Sequence, residues 1–380
     1  MIKSFKYRIY PNKSQEVLLS KTFGCIRVIW NANVESFNSY DKDKNPKPKI
    51  ITKSDLVIDR PWLNEVSAAA IQQKIRDFKE TASQFFSKTR KKKINRPIFK
   101  KKSGSQSYRL PNQKFLINEN KIRLEKIGWV KMSVDRIIPD NSKILSCTIS
   151  KNCCNQYFVS VSVDIVICYK PKTGKSVGVD LGLKSFATLS DGIVIDNIKF
   201  FREKQSEIIK IQKHLSRKKK GSNRYKKNKF RIARLYNKVA NKRNNFLHNV
   251  TTLLVNNYDV ICIEDLNVSG MLSNHKLAKA ISDTSFSMFR SMLEYKCKWY
   301  GKELVVIDRF FPSSKMCSKC GWKKEDLTLS DRIFKCENCG IEIDRDLNAS
   351  INIERMGVDI LYNRTQRDKV VNPVEASRIE

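Results

Sequence analysis

Four cysteines stand as Cys317-x-x-Cys320 and, fifteen residues further on, Cys336-x-x-Cys339. Each pair can present two thiolates from a tight knuckle, and two knuckles complete the tetrahedral ligand set of a zinc ribbon. Four protein ligands leave no open position, so one Zn²⁺ held there is structural. Three acids form a second set. Asp180 ends an apolar strand and is flanked by Gly178 and Gly182, which admit close approach of another backbone. Glu264 ends Val260-Ile-Cys-Ile263, and Asp346 opens the final helix within Asp344-Arg-Asp-Leu-Asn-Ala349. Phosphodiester hydrolysis needs a metal-activated water and a second ion for the departing oxygen, and Mg²⁺ prefers hard carboxylate ligands. Three convergent acids would hold two Mg²⁺ ions.

Singly, each acid has a plainer use: Asp180 as a turn residue, Glu264 or Asp265 as a solvated strand end, Asp346 as a helix N-cap. Asp344 competes with Asp346 as the third ligand. Their order along the chain and the charge of the molecule together favour catalysis. The 380 residues carry 74 Lys+Arg against 38 Asp+Glu, a formal charge of +36, and the pI is near 9.8. Such a field attracts phosphate backbones, with strong and steeply salt-dependent binding. Anionic membrane is the competing partner, but the sequence has no apolar run near the roughly 18 residues of a spanning helix and no signal peptide, so a cytoplasmic protein, nucleoid-associated if prokaryotic, is expected. An odd cysteine count of 11 argues for metal ligation over a disulfide framework.

The elements that would position these residues fall in two parts. Lys3 to Tyr10 alternates as a strand and stops at Pro11; Leu19, Phe23, Ile26 and Trp30 share a helical face, as do Ile71, Ile75, Phe78, Ala82 and Phe85. Ser39 to Pro48 reads as a polar loop. From Lys88 to Lys102, nine of fifteen residues are basic; short strands follow to Tyr169. After the linker Pro171–Lys175 come strands at 177–184, 186–189 and 193–195, helices across 201–256 broken at Gly221, a strand at 259–264, a helix at 278–299 and a strand at 304–307. That order is that of an RNase H-like fold. Residues 202–245 carry 17 Lys+Arg against Glu203 and Glu207, giving a basic wall beside a face built on Ile232, Leu235, Val239, Phe246 and Val250. No internal repeat is visible. His214, His248 and His275 lack ligand spacing, and Tyr108, Trp129 and Tyr225 read as packing residues before base-stacking ones.

Gly178-Val-Asp-Leu-Gly182, Ile263-Glu-Asp-Leu266, the four cysteines and Asp344-Arg-Asp-Leu-Asn-Ala349 resemble the motifs of the TnpB (OrfB) family of transposon-encoded RNA-guided endonucleases, similar to the type V CRISPR effectors. Tyr7-Arg-Ile-Tyr-Pro11 and Pro97-x-Phe99-Lys-Lys101 extend the resemblance over nearly the whole chain; Asn95-Arg-Pro97 departs from it, where Gly often precedes the Pro. The resemblance implies a multidomain α+β protein: a wedge β-barrel (1–10 and 96–172) with an inserted helical recognition bundle (11–95), a RuvC (RNase H-like) nuclease domain (173–310 and 343–358), a zinc ribbon (311–342) and a flexible tail (359–380). It implies Asp180, Glu264 and Asp346 as the Mg²⁺ ligands, because the family's third ligand lies two residues before the Asn. It also implies a guide RNA and double-stranded target DNA as partners, cleaved beside a short flanking motif, with no small-molecule substrate. Two other functions compete. A guided DNA-binding repressor without cleavage would have lost its acids, and a strand-joining transposase would need a Tyr with a His cluster; neither pattern is present. A guide-independent nuclease remains the third reading.

Overall fold

Pro11 stops the first strand, and Asn12 starts the first helix: its side chain accepts the Gln15 N–H while Gln15 returns a bond to the Asn12 N–H. The computed structural model describes residues 1–40, 48–87, 94–167, 169–273, 278–328 and 330–371, with side chains described up to 366 at the last helix. The chain divides into two units, Met1–Val166 and Ile167–Glu380, each combining sheet and helices. The expected boundary at 172 moves upstream, because Lys170 bonds the Tyr300 carbonyl and the N–H groups of Thr173 and Gly174 bond the Asp259 carboxylate.

In the first unit, strand β1 (Ile2–Tyr10) is followed by helices α1 (Lys13–Asn38), α2 (Lys53–Val57) and α3 (Ala68–Phe86). Strands β2 (Gln106–Pro111), β3 (Phe115–Asn118), β4 (Lys121–Leu124), β5 (Gly128–Ser133), β6 (Lys143–Lys151) and β7 (Tyr157–Asp164) complete an antiparallel sheet in the order β2-β6-β7-β1-β5-β4-β3. Among the described residues β2 and β3 are open edges, so the closure expected of a barrel is not among the registered pairs. Leu19, Phe23 and Ile26 pack into one core with Phe5, Val159 and Val161 of the sheet, so the helices between β1 and β2 share the sheet's core. Trp30, Val34, Phe37, Phe78 and Ala82 form a second cluster between α1 and α3. The basic segment 88–102 lies outside the described residues over 88–93, the loop 39–48 over 41–47, and His275 falls outside them as well.

The second unit runs β8 (Ser176–Leu181), β9 (Ser185–Leu189), β10 (Val194–Asp196), α4 (Phe200–Ser216), α5 (Asn223–Asn257), β11 (Val260–Glu264), α6 (Val268–Leu272), α7 (Ala278–Thr284), α8 (Phe286–Tyr300), β12 (Glu303–Ile307), β13 (Ile333–Lys335), β14 (Glu342–Asp344) and α9 (Arg345–Val371). Its sheet has the order β10-β9-β8-β11-β12, with β8, β11 and β12 parallel and the β8-β9-β10 meander antiparallel. One face is covered by α5 and α8, through Leu247, Leu254, Phe286, Phe289 and Leu293. The other is covered by α9, where Ile353 meets Cys262, Val305 and Ile307.

Two expectations change here. The helix expected across 278–299 breaks at Ser285, whose φ of +56° is left-handed. The tail expected from 359 is instead helical to Val371, because Met356, Ile360 and Leu361 continue the apolar stripe onto the sheet; residues 372–380 lie outside the described residues. Among the described residues, no helix is long and apolar enough to cross a membrane.

Candidate active site and metal centre

Parallel pairing brings two of the acids together. Gly178 lies opposite Cys262 and Val179 opposite Ile263, so the next residue on each strand is an acid, Asp180 and Glu264. This edge is the carboxyl end of the parallel strands, where diverging connections leave a crevice. Helix α9 reaches it from the other face, lying so close to β8 that a Cβ at Gly178 would sit 1.9 Å from the Ser350 carbonyl oxygen. The close approach expected at Gly178 is therefore to α9; Gly182 faces only its own hairpin at Ser185.

Asp346, in the first turn of α9, completes the set. Asp180, Glu264 and Asp346 line one cavity of about 450 Å³ with Lys184, Ser313, Lys315, Arg332 and Arg345. Burial, then the carboxylates of Glu264 and Asp346, push the Asp180 carboxyl up to about 7 against the pull of Arg345. Burial also raises Glu264, and the Ser313 hydroxyl opposes this by donating to its Oε1. Carboxylates that resist ionising beside one another in a half-buried cavity are those a divalent cation stabilises most, and an all-oxygen set suits Mg²⁺.

Asp344 and Asp346 have different surroundings. The Asp344 Oδ1 accepts the N–H groups of Asp346 at 2.9 Å and Leu347 at 3.0 Å, so it is Asp344 that caps α9. Asp346 faces the cavity, with Arg345 Nη2 and Nε at 3.0 and 3.2 Å from its Oδ1. Asp265 is engaged elsewhere: hydrogen bonds from Arg309 and Arg290 hold its carboxyl below the usual range.

The cysteines converge as their spacing requires. All four sulfurs lie within 4.8 Å of one another, with Cys317–Cys339 at 3.6 Å and Cys320–Cys336 at 3.5 Å. A tetrahedral site with Zn–S near 2.3 Å has sulfur–sulfur edges of about 3.8 Å, whereas a disulfide needs about 2.05 Å. The two knuckles repeat one geometry, in which the glycine after each pair, Gly321 or Gly340, adopts a φ of +77° or +71°. Each donates its N–H to the carbonyl of the first cysteine at 3.0 Å. Hydrogen bonds from the Asn338 side chain and the Trp322 backbone draw Cys320 down to about 6. At Cys339 the Ile341 backbone also lowers the thiol, but burial and the three neighbouring sulfurs push it up to about 12. A cation among the sulfurs would relieve the upward push on Cys339.

Sequence reasoning missed the cationic rim of Lys184, Lys315, Arg332 and Arg345, and the Ser313–Glu264 bond. The C-x-x-C-G form of both knuckles was a readable signal for the turns. Asn348 and Asn352, fully buried one helical turn apart, were readable as polar residues in an apolar stripe.

A Streptomyces pristinaespiralis protein provisionally named an RNA-guided DNA endonuclease is 37% identical over 94% of this chain and 89% of its own length. A TnpB-like protein from Acanthamoeba polyphaga mimivirus is 27% identical over 96% of this chain and 75% of its own. The chain belongs to the TnpB family. Escherichia coli K12 supplies another relative, InsQ, 28% identical over 95% of this chain and 93% of that one. Residues 156–275 match the family described as "Probable transposase" and residues 286–353 a Cas12f1-like TNB domain. Residues 1–36 match a "Helix-turn-helix domain", but in this TnpB protein they form strand β1 and most of one unbroken helix, α1. A cryo-EM structure of Cas12f1 with sgRNA and target DNA shares the fold, with a TM-score of 0.53 and 14% identity over 93% of this chain and 98% of that one.

Proposed function

We propose that this TnpB protein is an RNA-guided, Mg²⁺-dependent DNA endonuclease that cleaves target DNA beside a short flanking motif. The observation that carries the reading is the convergence of Asp180, Glu264 and Asp346 on one cavity at the carboxyl ends of β8 and β11, rimmed by cations. Asp180, Glu264 and Asp346 would hold two Mg²⁺ ions, which when bound supply an activated water and stabilise the departing oxygen. Lys184, Lys315 and Arg332 attract and orient the phosphate beside them. Cys317, Cys320, Cys336 and Cys339 would hold one structural Zn²⁺.

In this reading residues 173–310 and 343–358 are the RuvC nuclease domain, 311–342 the zinc ribbon and the first unit the wedge with its recognition helices. The match to the Cas12f1 fold and the names of the relatives support guidance by RNA. The basic face of α4 and α5 supplies a surface for its backbone. All three acids are present, which favours a cutting enzyme over a guided repressor. Sequencing the RNA that co-purifies, then supplying a reprogrammed guide with matching DNA, tests the reading: cleavage should follow the guide. Cutting by RNA-free protein would instead identify a guide-independent nuclease.

A further inference from the structure

Five polar contacts tie the first cysteine knuckle to the acidic cavity. Ser313 is 6% exposed and donates its hydroxyl to Glu264 Oε1. Its carbonyl accepts Asn352 Nδ2 at 2.8 Å. Two residues before Asn348 sits Asp346, and the Asn348 amide grips the same segment at both ends: Nδ2 donates to the Met316 carbonyl at 2.6 Å and Oδ1 accepts the Ser318 N–H at 2.8 Å. Asn352 Nδ2 also reaches the Met316 carbonyl, at 2.7 Å. Cys317 lies in the middle of this stretch, its N–H bonded to the Trp322 carbonyl at 2.8 Å.

Resting on the metal-dependent reading above, we infer that Ser313 is a positioning residue for Glu264, held in place by the asparagine clamp that also seats the Cys317 knuckle on α9. Buried amides cannot shift out of register without leaving donors and acceptors unpaired, so Asn348 and Asn352 fix residues 313–318 against the helix that carries Asp346. The zinc knuckle and the acids are thereby set by one polar network. Glu264 arrives from β11 and is the acid not carried by α9 or its neighbour β8; the Ser313 hydroxyl fixes the rotation of its carboxylate. Partners of this kind, one step removed from a metal, change its affinity by about 10–100-fold when deleted.

The test uses the full chain loaded with zinc and Mn²⁺ as a paramagnetic probe of the acidic cavity, titrated by EPR, with zinc content and melting temperature measured in parallel. Ser313→Ala should weaken Mn²⁺ binding by about tenfold or more while keeping one zinc per chain. Asn352→Ala should do the same with a lower melting temperature; where it fails to fold, Ser313→Ala alone decides. Mn²⁺ affinity within about twofold of the parent, or loss of zinc from Ser313→Ala, overturns the inference while leaving the metal-dependent reading intact. Mn²⁺ binding unaffected by Asp180→Ala overturns both.

Discussion

Asp344 accepts the backbone N–H of Asp346 at 2.9 Å, so two acids two residues apart have separate tasks: one caps α9 and the other faces the cavity. Asp344→Ala should lower stability by about 1 kcal/mol, the usual effect of losing an N-cap, and keep cleavage within about tenfold. Asp346→Ala should leave stability nearly unchanged and remove cleavage. Melting curves and cleavage rates for both variants check this; an inactive, stable Asp344→Ala protein beside an active Asp346→Ala protein would reverse the assignment.

Asp180 has a pH signature. Its carboxyl is raised from 3.8 to about 7 in the folded chain, so the fold favours the neutral form. That contribution is complete below about pH 4, is lost as pH rises towards 7, and is absent above. Metal-free Asp180→Asn should therefore be more stable than the parent at about pH 8, by a few kcal/mol at most, with the gap closing near pH 4. Denaturant titrations at the two pH values measure it; a pH-independent gap contradicts the burial of this acid.

Zinc removal should act on folding before chemistry. Freshly prepared protein should contain one zinc, and Cys317→Ser should lose it and open the segment between the knuckles to proteolysis, since metal binding supplies folding free energy there. Elemental analysis without zinc in unchelated protein contradicts the zinc site read from the sulfur–sulfur spacings of 3.5 and 3.6 Å.

Lys218, Lys219 and Lys220 join α4 to α5. Replacing all three with Gln should reduce the slope of log affinity for RNA against log salt by up to about 2, at roughly 0.7 per phosphate contact. An unchanged slope would place the RNA elsewhere.

Much of this was legible in the sequence because it depends on local pattern. The alternation of Phe5, Tyr7 and Ile9 became the buried face of β1, and Leu19, Phe23, Ile26 and Trp30 became the buried stripe of α1. The cysteine spacing brought four sulfurs together, and Gly178 met a helix backbone. What was not legible depends on distant partners. The left-handed break at Ser285 carries no signal in the local pattern, and the extension of α9 over Ile360 and Leu361 follows from packing against the sheet. The bonds from Asn348 and Asn352 reach backbone groups some thirty to forty residues away, which no spacing rule encodes.

The separation of binding from chemistry tests the central claim most directly. With guide RNA and matching DNA, gel shifts and cleavage assays should be run side by side on Asp180→Ala and Glu264→Ala. Affinity should stay within about threefold of the parent, since it comes from Lys, Arg and base pairing, while Mg²⁺-dependent cleavage disappears. Equal loss of binding and cutting would make the acids structural, and cutting that survives both substitutions would place the chemistry outside this cavity.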